Sequence, residues 1–131
     1  VKAAPYPVEV LDGEADNGTM VNNVAEVRES VVGHKIVVAG WRDDEFIIQL
    51  DNESEVRLRN TDDCCAYTAL EAFLLHPDRV DHVIMGVGTT DEYGTWHIYC
   101  DYGDILELTV GWSAGNPFYY GYGFDIEVEA L

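Results

Sequence analysis

Two consecutive runs, Glu45 to Leu50 and Ser54 to Arg59, place apolar side chains at every second position. Phe46, Ile48 and Leu50 alternate with Glu45, Ile47 and Gln49, and Val56 and Leu58 alternate with Glu55, Arg57 and Arg59. A period of two puts one set of side chains on each face of a pleated strand, so these runs must pair with one face covered. Asp51-Asn52-Glu53 between them reads as a turn, and His34 to Ala39 supplies a strand before the turn Gly40 to Asp44. Together they predict an antiparallel meander.

The pattern extends along the chain. Strands are expected at His82 to Gly88, Thr95 to Cys100, Ile105 to Trp112 and Phe124 to Glu129. Met20, Val24 and Val27 recur at helical spacing after Thr19, with Gly33 placed to end a short helix. The segment Cys64 to Leu75 carries an apolar stripe at Cys65 or Ala66, Ala69 or Leu70, then Phe73 and Leu74. With Thr61, Asp62 or Asp63 as cap and His76-Pro77 as stop, it predicts the main helix. The expected fold class is therefore α+β: a mostly antiparallel twisted sheet of about six or seven strands with one main helix packed on it. Residues 1–18, with Pro5, Pro7, Gly13 and Gly18, read as an extended arm, and 19–131 as a single domain. Phe46, Ile48, Val56, Leu58, Leu70, Phe73, Leu74, Trp96, Ile98, Leu106, Leu108 and Val110 are the expected core.

Charge narrows the partners. Twenty-five Asp and Glu face seven Lys and Arg, for a net −18, and Val80 to Leu131 contains no Lys or Arg at all. Such a chain lacks the basic footprint needed to hold phosphates and is repelled by anionic lipid, so neither direct nucleic-acid binding nor membrane binding is expected. No apolar run approaches the length of a spanning helix. A partner with a basic surface, or simple solubility by charge, suits the composition. Three cysteines, two of them adjacent, read as reduced intracellular thiols.

Asp62-Asp63-Cys64-Cys65, Gly94-Thr95-Trp96-His97-Ile98-Tyr99, and Gly111-Trp112-Ser113-Ala114-Gly115-Asn116-Pro117-Phe118-Tyr119-Tyr120 follow one another in an order that resembles a family of small bacteriophage-encoded proteins of unknown function. The resemblance runs from about Val32 to Glu129. It departs from the family pattern at Asn116, where Pro117-Phe118 replaces the usual Gly, and at Ala66, where many relatives carry an acid. The resemblance implies a phage accessory protein located in the host cytoplasm or, alternatively, in the virion as a structural component; it brings no activity with it.

Chemistry is sparse. Trp112, Phe118, Tyr119, Tyr120 and Tyr122, interleaved with glycines and joined by Asn116, form the densest candidate binding patch, because aromatics give contact area at low entropic loss. The same residues could equally stiffen a hairpin. His97 alternates with Trp96 and Ile98 and is expected to point away from the core, beside a possible ligand. Asp101 and Asp104 flank a glycine turn that suits a solvated hairpin or a loose cation contact. No zinc-type spacing is present, so no metal and no cofactor are expected; the residues that could assemble a site regardless are Cys64, Cys65, His76 and Cys100. Gly111-Trp112-Ser113-Ala114-Gly115 matches a nucleophile elbow by letter only, since no His follows Ser113. Binding without catalysis is the expected activity, with an acidic inhibitor or mimic of nucleic acid as its sharp form. A nucleotide-like small-ligand binder or hydrolase around His97 is the alternative.

Overall fold

A computed structural model describes residues 19–62, 66–113 and 123–131. The expected arm (1–18), Cys64, Cys65, Asn116, Phe118, Tyr119, Tyr120 and Tyr122 lie outside the described residues. One helix, α1 (Thr19–Val31), precedes nine strands: β1 (Ile36–Arg42), β2 (Glu45–Leu50), β3 (Ser54–Arg59), β4 (Thr61–Asp62), β5 (Tyr67–Leu75), β6 (Gly86–Thr90), β7 (Thr95–Cys100), β8 (Gly103–Ser113) and β9 (Asp125–Ala130). They form two antiparallel sheets, ordered β1-β2-β3-β9 and β4-β5-β8-β7-β6. The expected α+β class is thus corrected. The described chain is nearly all sheet, in two layers rather than one.

The main correction falls on the expected helix over Cys64 to Leu75, whose described part is strand β5. The reason lies in its pairing with β8, whose register slips between Leu70 and Ala72. Thr68 and Leu70 are buried and Phe73 and Leu75 pack partly against the core, so the inward positions step by two, three and two. A bulge inserts one residue into the alternation. The resulting step of three imitates the recurrence of an amphipathic helix. Eight pairings with β8 outweigh the helical propensity of Ala, Leu and Glu. Leu74, expected inside, lies on the other face and is 54% exposed.

The meander is present, with Phe46, Ile48, Leu50, Val56 and Leu58 buried. Its first strand runs further than expected, to Arg42, leaving only Asp43-Asp44 as the turn. The strand expected from His82 begins later, at Gly86. In α1, Val24, Val27 and Val31 enter the core, and Gly33 (φ +91°) terminates the helix while its N–H donates to the Ile84 carbonyl. The apolar faces of both sheets share one core, joined by the Phe46–Phe73 ring contact at 4.9 Å and the Trp96–Phe124 contact at 5.5 Å. The chain re-enters the first sheet at Gly123-Phe124. There Asn23 pairs with the Phe124 backbone, the Thr61 hydroxyl donates to the Gly123 carbonyl, and the Gly123 N–H donates to Thr68 Oγ1.

The β6–β7 turn holds Asp91, Glu92 and Tyr93 at φ of 57°, 53° and 66°, a left-handed path that is unfavourable for each non-glycine residue. Its carbonyls are held from outside: Trp96 Nε1 donates to Tyr93 O (3.1 Å) and Trp112 Nε1 to Glu92 O (2.9 Å).

The outer face of the first sheet is a lattice of opposite charges. Glu45, Arg59 and Asp125 share one register row, and Ile47, Arg57 and Glu127 the next. Arg42 crosses the Ile47 row to reach Glu55, which also accepts from Arg57 (2.9 Å) and Gln49 (3.0 Å). Glu55 is only 1% exposed. The Arg42 hydrogen bond, helped by Gln49 and Arg57, outweighs burial and holds its carboxyl at about 2, below the ordinary 4.5. A depressed folded value means that the stabilisation is complete above pH 4.5 and drains away as pH falls towards 2. Glu55→Gln should therefore lose about 3 kcal/mol at neutral pH, because two guanidiniums lose a buried partner. In urea titrations the gap between wild type and variant should narrow from pH 4.5 to pH 2; a constant gap would show that the ion pairs contribute nothing.

Candidate functional site

A compact polar cluster lies on the second sheet, around the β7–β8 hairpin. Regular pairing after Ile98↔Leu106 would set Tyr99 opposite Ile105 and turn Asp104 to the side of Cys100. Instead the register slips, and Tyr99 faces Asp104. This single bulge brings Asp104 onto the face of His97. His97 itself sits directly opposite Glu107, and Glu107 is opposite Leu74 on β5. His76, just past the end of β5, is fixed by its N–H to the Ile105 carbonyl (2.8 Å).

The contacts fall into two neighbouring groups whose His97, Asp104 and Glu107 ligand atoms lie within 4.8 Å of one another. His97 Nδ1 is 3.1 Å from Asp104 Oδ2, and His97 Nε2 is 2.8 Å from Thr90 Oγ1. His76 Nε2 is 2.7 Å from Glu107 Oε2. Arg79 Nη1 donates to the Asp104 carbonyl at 2.9 Å. His97 does face away from Trp96 and Ile98, as alternation requires, but it is buried at 7% exposure rather than solvated. His76 and Glu107, by contrast, are a quarter to a third exposed, so that pair lies nearer to solvent than His97 and Asp104. Thr90, His97 and Asp104 stand in the order hydroxyl, imidazole, carboxylate, the outline of a nucleophile with its base and orienting acid. A substrate would also need a cavity beside the hydroxyl. The pocket found near this hairpin, about 410 Å³, is lined by Asp78, Arg79, His82 and Tyr102, none of which is part of that relay.

The other sequence candidates are dispersed. Asp101 and Cys100 gather with His82, whose Nδ1 is 3.7 Å from Asp101 Oδ1. The Cys100 sulfur is engaged within the turn, by Tyr102 N–H (3.4 Å) and the Gly103 carbonyl (3.5 Å). Cys100 and His76, grouped from sequence as ligands of one metal, thus belong to different neighbourhoods. Trp112, next to last in β8, sets its indole on the β6–β7 turn with its ring 6.2 Å from Tyr93. The carboxylates that a nucleic-acid mimic would align are divided. Asp125, Glu127 and Glu129 lie on β9 beside Arg57 and Arg59, whereas Asp101, Asp104 and Glu107 lie on the second sheet beside histidines.

Sequence reading missed one further surface. β1 is an edge strand, and along it Val37, Val38 and Trp41 are 63%, 44% and 45% exposed. Trp41 touches Phe46 edge-on at 5.7 Å but is otherwise open. The signal was available, since Ile36-Val37-Val38 is a run of three apolar residues in which a half-buried strand should alternate. A third register slip, between Ile36 and Val38, accommodates it.

The architecture is that of a small two-layer β protein with a buried His–Asp pair and, among the described residues, an exposed apolar edge strand. The chain belongs to the DUF7448 family, a domain of unknown function, whose model matches residues 29–126. Neither curated proteins nor solved structures returned a match. No helix among the described residues is long and apolar enough to cross a membrane.

The hairpin turn that positions the cluster depends on Gly103 (φ +126°), where a Cβ would also come within 3.1 Å of Arg79 Nη1. Gly103→Ala should therefore cost about 1–3 kcal/mol of stability and displace Arg79 from the Asp104 carbonyl. Chemical denaturation combined with imidazole NMR of His97 checks both effects; an unchanged His97 spectrum would separate the turn from the cluster.

Proposed function

We propose that this protein works by binding another protein, without catalysis, and that β1 is the strand it offers. The observation carrying this reading is an edge strand whose Val37, Val38 and Trp41 side chains stay exposed. An open edge presents unpaired backbone donors and acceptors, and natural sheets blunt such edges with charge or proline. Here the only charged residue on β1 is Arg42, at its end and committed to Glu55. Strand addition gives main-chain hydrogen bonds, and the flanking apolar side chains give contact area. The net charge of −18 would steer a partner with a basic surface towards the molecule.

The finer reading, a bacteriophage accessory protein engaging a host or viral protein, draws on the order of the Asp-Asp-Cys-Cys, Gly-Thr-Trp and Trp112 to Tyr120 segments. Affinity capture from host lysate with wild type and Val38→Lys, at low and high salt, tests the binding mode. A partner retained at both salts by wild type and lost with Val38→Lys supports the β1 edge. Capture that survives Val38→Lys yet disappears with salt would overturn it in favour of an acidic mimic.

One observation favours a second reading. Arg79, His82 and Tyr102 line the same 410 Å³ pocket, with the His82 and Tyr102 rings 4.8 Å apart, a combination suited to a small anionic ligand with a ring. Tyr102→Ala should abolish such binding in a fluorescence titration with a nucleotide; unchanged or absent binding by wild type would remove this reading.

A further inference from the structure

We infer that His97, Asp104 and Glu107, with His76 as fourth donor, form a binding site for one divalent transition-metal ion of the zinc class. The first three residues present ligand atoms that all lie within 4.8 Å of one another. They project from paired positions on β7 and β8, rigid elements that hold a constellation better than loops do. His76 Nε2 is already 2.7 Å from Glu107 Oε2. Tetrahedral ligands at about 2.0–2.1 Å from zinc stand roughly 3.3 Å apart. The His97, Asp104 and Glu107 donors would close from separations of up to 4.8 Å towards that spacing, and the His76–Glu107 contact of 2.7 Å would open slightly to admit the ion.

The donor chemistry selects the ion. Two imidazoles with two carboxylates form a mixed nitrogen and oxygen set, which suits zinc and its first-row neighbours better than calcium or magnesium. With neutral imidazoles the four side chains carry a formal charge of about −2, on a chain already at −18. A divalent cation cancels that charge within the cluster. The surroundings match what a metal-bound histidine needs. Without an ion, the two contacts of His97 fit Nδ1–H donating to the Asp104 carboxylate and the Thr90 hydroxyl donating to Nε2; coordination through Nδ1 calls for the other tautomer, in which Nε2–H donates to Thr90 Oγ1. In that tautomer a lone pair confronts carboxylate oxygens, an arrangement that becomes favourable with a cation between them. The Arg79 bond to the Asp104 carbonyl fixes the ligand backbone from behind.

The neighbouring group His82, Cys100 and Asp101 meets the same distance limit but is a poorer site, because its sulfur is engaged by Tyr102 N–H and the Gly103 carbonyl. It serves as the internal control. Sequence spacing did not reveal the proposed site because its ligands are scattered over His76, His97, Asp104 and Glu107. The sheet register, not a local motif, assembles them.

The test is zinc titration of the full chain after chelator stripping, in competition with a chromophoric chelator, alongside the visible spectrum of the cobalt form. One zinc per chain is expected. Glu107→Gln and His76→Ala should each weaken it at least tenfold, whereas His82→Ala should leave it unchanged. Both deciding residues are partly exposed, so these variants should retain the wild-type far-UV circular dichroism. The cobalt form should lack thiolate-to-metal charge transfer, and His97→Gln should lose the cobalt spectrum. Absence of stoichiometric zinc, equal loss in His82→Ala, or binding that survives Glu107→Gln with a thiolate band would overturn the assignment.

Discussion

Strand β8 is the axis of the second sheet: it pairs with β5 on one side and β7 on the other, and the register slips on both. Each slip changes which residues share a face. On the β5 side it moves Phe73 inward and Leu74 outward, and on the β7 side it moves Asp104 beside His97. A strand of eleven residues with two offset neighbours cannot remain flat. Bulges increase local twist, which helps this sheet close over the shared core with the first one. The candidate polar cluster is a by-product of that curvature. It occupies the face where two displaced ladders bring His97, Asp104 and Glu107 together.

The parts of this fold that were legible from sequence are those in which alternation is unbroken. Phe46 to Leu50, Val56 to Leu58 and Thr95 to Cys100 read directly as strands, and Val24, Val27 and Gly33 read as a short helix with its stop. The reading failed at β5 because a bulge turns a period of two into a local step of three, the signature of a helix. The assignment of α+β rested on that one segment and went with it. At the cluster, sequence marked His97, Asp104 and His76 individually. It could not join them, because Glu107 becomes their neighbour only through cross-strand register. Thr90 carries no signal of its own; its hydroxyl matters because β6 pairs with β7 so that Thr90 and His97 lie close.

The scarcity of cations gives each one structural weight. Three of the five arginines, Arg42, Arg57 and Arg59, are gathered over the outer face of the first sheet, where they hold Glu45, Glu55, Asp125, Glu127 and Glu129. Arg79 is used at the β7–β8 turn. Histidines, not arginines, accompany the acids of the second sheet. The two layers therefore meet their acids with different groups: guanidiniums on the first sheet and imidazoles on the second.

The left-handed turn of Asp91 to Tyr93 is clasped by the indoles of Trp96 and Trp112, and Trp41 stands apart on the edge strand. Three fluorophores are thereby divided between the first sheet's edge and the β6–β7 turn of the second. Trp96, fully buried, emits from an apolar setting, whereas Trp41 is open to a soluble quencher. Quencher access and emission colour thus distinguish an event at β1 from loosening of the β6–β7 turn, with no label added. The chain carries its own two-site optical probe.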